Sequence, residues 1–138
     1  MILVDTSALF ALLDRDARQH DTVGSFVAVN EEPLVLSPFV LAELDYLVAE
    51  RFGIDAELAV LDDAAEGAYE LAPFSARDVA RARKIIVRFR DLRIGLTDAS
   101  LVVLAERSQT NRVLTLDERH FRALRVGRRR FVVLPADA

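Results

Sequence analysis

The sequence predicts an α/β fold with a mainly parallel sheet and helices on both of its faces. Short apolar runs of strand length alternate along the chain with longer segments in which apolar residues recur at helical spacing. This alternation is typical of parallel sheets, whose right-handed crossovers distribute the helices over both faces. With 138 residues the chain has enough length for one hydrophobic core and too little for two. We therefore expect a single domain that covers residues 1–138.

Five segments are predicted to be strands. They are residues 2–4, 34–36, 69–72, 112–116 and 131–134. The first is apolar throughout and ends at Asp5, as expected of a strand that is buried on both faces. Asp117 follows the fourth strand in the same way. Because α/β proteins place their sites at the carboxyl ends of the strands, both acids are candidates for function.

Six segments are predicted to be helices. They are a short helix that ends at Leu13, then residues 17–29, 38–51, 56–66, 76–90 and 97–109. Ser37 followed by Pro38 is a typical helix start, and Ser75 is expected to cap the basic helix that begins after it. Asp55 is expected to cap the helix between these two.

The charge of the chain is distributed unevenly. The net charge is −4, but residues 1–74 carry 3 Lys/Arg and 15 Asp/Glu (−12), whereas residues 75–138 carry 15 and 7 (+8). A basic half suggests an anionic partner, and arginine, which supplies 17 of the 18 basic residues, suits phosphate. A genome rich in G and C is an alternative reason for the excess of arginine over lysine, but it does not explain the asymmetry.

Composition also excludes several kinds of protein. The absence of cysteine excludes disulfides and thiolate metal sites, and we expect a cytoplasmic protein. The chain has no apolar run of membrane-spanning length and no features of a signal peptide, so no membrane partner is expected. Glycine-rich phosphate-binding motifs are absent, and the two histidines, 100 positions apart, form no zinc motif.

Two further acids, Glu43 and Asp98, fall on apolar faces of predicted helices. Glu43 lies four residues from both Phe39 and Leu47, and Asp98 lies three residues before Leu101. A buried carboxylate is costly unless it is paired or binds a metal. No basic residue lies one helical turn from Glu43, so pairing within its helix is excluded.

Each of the four acids also has a structural interpretation. Asp5 can cap the first helix, Asp117 can cap the turn at residues 118–121, Asp98 can stabilise a helix dipole, and Glu43 can lie at the margin of its stripe. Asp91 is an alternative to Asp98. Together, however, four acids at strand ends and helix starts predict one carboxylate cluster, which needs a cation to offset its repulsion. Oxygen ligands favour Mg²⁺ or Mn²⁺, and no histidine is expected in the group.

Four segments around these acids resemble the PIN-domain proteins, and in particular the VapC toxins. They are Leu-Val-Asp-Thr-Ser-Ala-Leu at Asp5, Ser-Pro-Phe-Val-Leu-Ala-Glu-Leu-Asp-Tyr-Leu at Glu43, Gly-Leu-Thr-Asp-Ala-Ser at Asp98 and Val-Leu-Thr-Leu-Asp-Glu-Arg-His-Phe at Asp117. Any one segment is a weak match. Four in the matching order and spacing are specific, and the resemblance covers nearly the whole chain.

The resemblance implies a fold, an activity and a set of residues. The fold is a five-stranded parallel sheet in the order 3-2-1-4-5. The activity is metal-dependent endonucleolytic cleavage of structured RNA, either transfer RNA or a ribosomal RNA loop, which inhibits translation and growth. A homodimer and a neutralising VapB-like antitoxin are implied as partners. The implied residues are Asp5 and Asp98 as primary ligands of Mg²⁺ or Mn²⁺, Glu43 and Asp117 as secondary ligands, and Ser7 and Thr115 as pocket-lining residues.

The predicted basic helix offers a surface for RNA. One of its faces carries Arg77, Arg81, Lys84 and Arg88, and residues 128–130 form a second arginine cluster. We expect these side chains to contact phosphates beside the acidic pocket, although a solvated face with ion pairs is the simpler interpretation. A non-catalytic RNA-binding or scaffold protein is the alternative function. It accounts for the arginines but leaves Glu43 and Asp98 on apolar faces without a reason.

Overall fold

The computed structural model describes all 138 residues and contains seven strands and seven α-helices. The strands are β1 (Ile2–Val4), β2 (Leu34–Leu36), β3 (Glu70–Leu71), β4 (Arg112–Leu114), β5 (Arg125–Val126), β6 (Arg129–Arg130) and β7 (Val132–Leu134). The helices are α1 (Thr6–Leu13), α2 (His20–Val29), α3 (Pro38–Phe52), α4 (Ile54–Ala65), α5 (Ala76–Arg88), α6 (Leu96–Ser108) and α7 (Glu118–Ala123). A 3₁₀ turn at Arg90–Leu92 joins α5 to α6.

Five strands form one parallel sheet in the order β3-β2-β1-β4-β7. Leu3 pairs with Val35 on one side and with Val113 on the other, so β1 is the central strand. The predicted order 3-2-1-4-5 is confirmed, with β7 as its fifth member. The antiparallel hairpin β5–β6, which precedes β7, was not predicted. Its strands have two residues each and turn at Gly127, whose φ is 62°, so they leave little pattern in the sequence.

The sheet is buried on both faces. Ile2, Leu3 and Val4 are completely buried, and alternate residues of a strand point to opposite faces, so helices cover both sides of β1. Helix α6 lies deepest, with seven consecutive buried residues at 99–105. A helix that is apolar all round belongs in a core. None of the seven helices combines the length and the apolar composition that a membrane span requires.

Helix ends agree with the predicted caps at some positions and differ at others. The side chains of Ser37 and Ser75 cap α3 and α5 as predicted. Asp55 does not cap α4, because Gly53 occupies the N-cap with a φ of 90° and leaves Asp55 inside the first turn. The segment after Asp117, which we expected to be a turn, is the helix α7, and the Asp117 side chain caps it.

The first turns of four helices converge at the carboxyl edge of the sheet. Helix α1 follows β1, α3 follows β2 and α7 follows β4, and parallel strands end at the same edge. Helix α6 joins them through a buried contact of 2.7 Å between Ser37 Oγ, at the start of α3, and Ser100 Oγ. This contact fixes the helix that carries Glu43 against the helix that carries Asp98.

Candidate active site

All four predicted acids line one open cavity of about 470 Å³ at this edge. Asp5 comes from the N-cap of α1, Glu43 from α3, Asp98 from the first turn of α6 and Asp117 from the N-cap of α7. No lysine or arginine lines the cavity. The four carboxyl groups therefore have no basic lysine or arginine beside them to offset their charge.

Asp5 is 6% exposed and is held by two hydroxyl groups. Ser7 Oγ donates to its Oδ2 at 2.8 Å, and Thr115 Oγ1 donates to the same oxygen at 2.7 Å. Although Asp5 occupies the N-cap position of α1, its side chain makes no capping hydrogen bond. Burial raises the pKa of Asp5, and the hydrogen bonds from Thr115, Ser7 and the backbone of Thr6 oppose that rise.

Ser7 and Thr115 hold Asp5 from different positions. Ser7 lines the cavity, and its Oγ accepts a hydrogen bond from the Leu116 amide at 3.0 Å. Thr115 is 1% exposed, and its Oγ1 accepts from the Asp117 amide at 2.9 Å. Thr115 was predicted to line the cavity. The structure places it behind Asp5 instead, outside the cavity wall. From there it connects Asp5 to Asp117.

Asp98 is partly buried, and the other acids of the cavity repel its negative charge. Burial raises the pKa of Asp98 to about 6, and the charge of Asp5 contributes to the rise. His120 opposes the rise, whereas Asp117 and Glu43 add to it. A divalent cation in the cavity would offset this repulsion and favour the ionised carboxylate.

His120 belongs to the cavity, contrary to the expectation that no histidine does. Its Nδ1 lies 2.7 Å from Oδ2 of Asp117 and 3.9 Å from Oδ2 of Asp98. These three residues place ligand atoms within 4.8 Å of one another. His120 was not predicted as a site residue because residues 118–121 were expected to form a turn. In a helix, the spacing of three residues brings His120 next to Asp117.

Glu43 reaches the cavity but is exposed, whereas its position on the apolar stripe predicted burial. The buried side of α3 consists of Val40, Leu44 and Val48. Glu43 lies beside that row and faces the cavity, so the interpretation that places it at the margin describes its packing correctly. Asp91, the alternative to Asp98, is exposed and does not line the cavity.

The predicted RNA-binding residues Arg77, Arg81, Lys84 and Arg88 lie outside the cavity. Helices α5 and α6 pack antiparallel, with Arg81 bonded to Glu106 at 2.8 and 3.0 Å and Arg107 bonded to Asp78 at 2.7 Å. By this register, the start of α5 lies beside the end of α6 that is remote from the acids. Its last residue, Arg88, lies beside the first turn of α6 and donates to the Gly127 carbonyl at 3.2 Å. That contact joins the end of α5 to the arginine-rich hairpin.

The chain belongs to the PIN-domain family, whose sequence model matches residues 2–126. Within this family it is similar to the VapC ribonucleases. The protein named Ribonuclease VapC26, from Mycobacterium tuberculosis, is 50% identical to it over 135 residues, which are 97% of this chain and 100% of that protein.

Solved structures share the fold. The toxin VapC20 of Mycobacterium tuberculosis, described as cleaving the sarcin-ricin loop, superposes with a TM-score of 0.79 at 22% identity, over 85% of this chain and 90% of that one. The VapBC2 complex from Rickettsia felis, bound to a promoter DNA fragment, gives a TM-score of 0.69 at 18% identity, over 96% and 97%. At these identities the two superpositions show the fold alone.

Proposed function

We propose that this protein is a metal-dependent endoribonuclease, a single PIN domain over residues 1–138, and the toxin of a toxin–antitoxin pair. The observation that supports this most directly is the meeting of Asp5, Glu43, Asp98 and Asp117 around one cavity without lysine or arginine. Burial and neighbouring carboxylates raise the pKa of Asp98 to about 6, as expected where negative charges crowd together. Such a site suits a divalent cation.

The donor set fits Mg²⁺ or Mn²⁺. We assign Asp5 and Asp98 as primary ligands and Glu43 and Asp117 as secondary ligands. A cation held by these residues would lower the pKa of a bound water and offset the charge of the scissile phosphate. The two hydroxyls that donate to Oδ2 of Asp5 fix its orientation and favour its ionised form. Glu43 and Asp117 would orient the attacking water or hold a second ion, and a carboxylate oxygen that is not bound to an ion can accept the proton of the water.

The proposed substrate is structured RNA, either transfer RNA or a ribosomal RNA loop, cut in the cytoplasm so that translation and growth stop. Two names support this choice: the 50% identical relative is a ribonuclease, and VapC20 is described as cleaving the sarcin-ricin loop. We propose that Arg88 contacts the phosphates nearest the cavity and that the arginines at 128–130 contact phosphates from the β5–β6 hairpin, which Arg88 joins through the Gly127 carbonyl. Arg77, Arg81 and Lys84 contact phosphates farther along the RNA.

We further propose that a VapB-like antitoxin neutralises the protein and that the chain forms a homodimer. The Rickettsia felis structure that shares this fold is a VapBC complex, which supports an antitoxin partner of the same kind. Co-expression with the gene that adjoins this one in its genome, followed by purification through a tag on this chain, tests the pairing.

Incubation of total cellular RNA with the purified protein tests the nuclease activity. We expect discrete fragments with Mn²⁺ or Mg²⁺, none with EDTA, and none with the variant Asp5→Asn. Asp91→Asn is the matched control, because Asp91 is an exposed acid outside the cavity. If RNA is not cut and no metal binds, the alternative of a non-catalytic RNA-binding protein replaces this proposal.

A further inference from the structure

His120 is the one cavity residue whose chemistry the oxygen-only ligand set leaves unused. It is partly buried, and it is the only basic side chain on the cavity wall, since no lysine or arginine lines the cavity. Its Nδ1 faces the carboxylates of both Asp98 and Asp117. A ring nitrogen placed between two carboxylates is either a hydrogen-bond donor or a metal ligand.

The distances suit a shared cation. Two ligand atoms that bind one ion at about 2.1 Å lie about 3 Å apart when adjacent and at most about 4.2 Å apart when opposite. Nδ1 of His120 lies 2.7 Å from Asp117 Oδ2 and 3.9 Å from Asp98 Oδ2, within that limit in both cases. The ligand atoms of all three residues lie within 4.8 Å of one another, so small side-chain shifts complete the set.

Asp117 is already oriented for this arrangement. Its Oδ1 accepts the backbone amide of His120 at 3.1 Å, which turns Oδ2 towards Nδ1. Its own amide donates to Thr115 Oγ1, which in turn holds Asp5. One hydrogen-bonded chain therefore positions Asp5, Asp117 and His120 around the cavity. In the neutral tautomer with hydrogen on Nε2, Nδ1 offers a lone pair to a cation.

We propose that His120 Nδ1 is a direct ligand of the divalent cation, together with Asp98 and Asp117, and that it makes the site prefer Mn²⁺ over Mg²⁺. The inference rests on the proposed function, because it assigns a further ligand to the same centre. Mg²⁺ binds almost entirely through oxygen and accepts nitrogen donors poorly, whereas first-row transition ions bind imidazole more strongly. One nitrogen in an oxygen set is therefore enough to separate the two metals.

Pulsed electron paramagnetic resonance of the full chain with Mn²⁺ alone tests the assignment. We expect a ¹⁴N coupling from a directly bound imidazole in the wild type, its loss in His120→Gln, and its retention in His20→Gln. His20 is the only other histidine, and its Nδ1 lies 2.9 Å from the Ala11 carbonyl, away from the cavity. If His120→Gln does not fold, the wild type and His20→Gln together still decide the assignment, because these are the only two histidines of the chain.

The possible results distinguish a failure of the ligand role of His120 from a failure of the proposed nuclease function. Mn²⁺ that binds without nitrogen coupling overturns the ligand role of His120 and leaves the nuclease proposal intact. If Mn²⁺ does not bind at all, both are overturned. Calorimetry gives an independent readout: His120→Gln should weaken Mn²⁺ binding by at least about tenfold and change Mg²⁺ binding much less. Equal losses of affinity for Mn²⁺ and Mg²⁺ would overturn the proposed preference for Mn²⁺.

Discussion

At the scale of single residues, the site depends on how each carboxyl group is held. Asp5 is nearly buried, yet two hydroxyls donate to one of its oxygens and oppose the rise of its pKa. Asp98 has no such donors, and its pKa rises to about 6. The two hydroxyls therefore favour the ionised form of Asp5, whereas the ionised form of Asp98 depends on a cation.

The substitution Asp5→Asn should abolish cleavage without unfolding the protein. The amide retains an oxygen that accepts from Ser7 and Thr115 but loses the negative charge that binds a cation. We expect the cleavage rate to fall at least about 100-fold, while the free energy of unfolding in EDTA stays the same or rises, because carboxylate repulsion is relieved. Asp91→Asn should change neither quantity. A folded Asp5→Asn protein with wild-type activity would contradict the assignment.

The stability of the metal-free protein should depend on pH through Asp98. The pKa of Asp98 in the folded protein, about 6, exceeds its ordinary value of 3.8, so the folded state binds the proton more tightly than the unfolded state does. Stability from this group is present at low pH and is lost as pH rises through about 6. Urea denaturation in EDTA should therefore show a more stable protein at pH 5 than at pH 7.5.

Asp98→Asn is the control for this pH effect, since an amide does not titrate. It should reduce the difference in unfolding free energy between pH 5 and pH 7.5, while Asp91→Asn should leave it unchanged. Saturating Mn²⁺ should reverse the trend for the wild type, because a cation stabilises the ionised site and competes with the proton. A wild type whose stability is the same at both pH values would show that Asp98 is not perturbed.

At the scale of elements, the cavity is produced by helices that begin where parallel strands end. Apolar runs and serine caps predicted β1, β2, β4, α3 and α5, because those features are local in sequence. The same local reasoning located Asp5 and Asp117. His120 was not predicted, because a helix of six residues such as α7 is too short to show a helical repeat of apolar residues. Glu43 was expected to be buried but is exposed, because tertiary packing determines where the buried part of an apolar stripe ends.

Removal of the buried serine contact between α3 and α6 should lower the free energy of unfolding. Ser100 Oγ lies 2.7 Å from Ser37 Oγ and donates to the Thr97 carbonyl at 2.6 Å. Because Ser100 Oγ donates to Thr97, Ser37 Oγ donates to Ser100, and Ser100→Ala leaves that buried donor without a partner. The free energy of unfolding should therefore fall by about 1 to 3 kcal/mol, although Ser37 Oγ still accepts the Phe39 amide. Denaturant titration measures this. Ser108→Ala, at the last residue of the same helix and only partly buried, should cost much less.

At the scale of the whole molecule, both halves of the chain contribute acids to the site, and the second half also carries most of the basic residues. The acidic half supplies Asp5 and Glu43. The basic half supplies Asp98, Asp117 and 15 Lys/Arg, several of them on α5 and the β5–β6 hairpin. The asymmetry was visible in the sequence, but the antiparallel packing of α5 on α6 was not. That packing determines which arginines lie near the cavity.

RNA affinity should therefore depend on the position of an arginine along α5. Arg88→Gln should weaken RNA binding and lower the slope of log affinity against log salt by about 0.7 to 0.9, the value of one lost phosphate contact. Arg77→Gln removes the same charge at the remote end of the helix and should have a smaller effect. Filter binding over a salt series, with the inactive Asp5→Asn background to prevent cleavage, measures both. Equal effects would remove the end of α5 from the RNA path.

The chemical nature of the RNA ends tests the central claim most directly. If the acids of the cavity hold a cation and the nucleophile is water, each cut leaves a phosphate monoester on one fragment and a free hydroxyl on the other. We expect such ends on fragments made with Mn²⁺ by the wild-type protein, and no cleavage in EDTA. Ends that carry a 2′,3′-cyclic phosphate, formed whether or not metal is present, would mean that the ribose 2′-hydroxyl attacks and that the acidic cavity is not a metal-dependent nuclease centre.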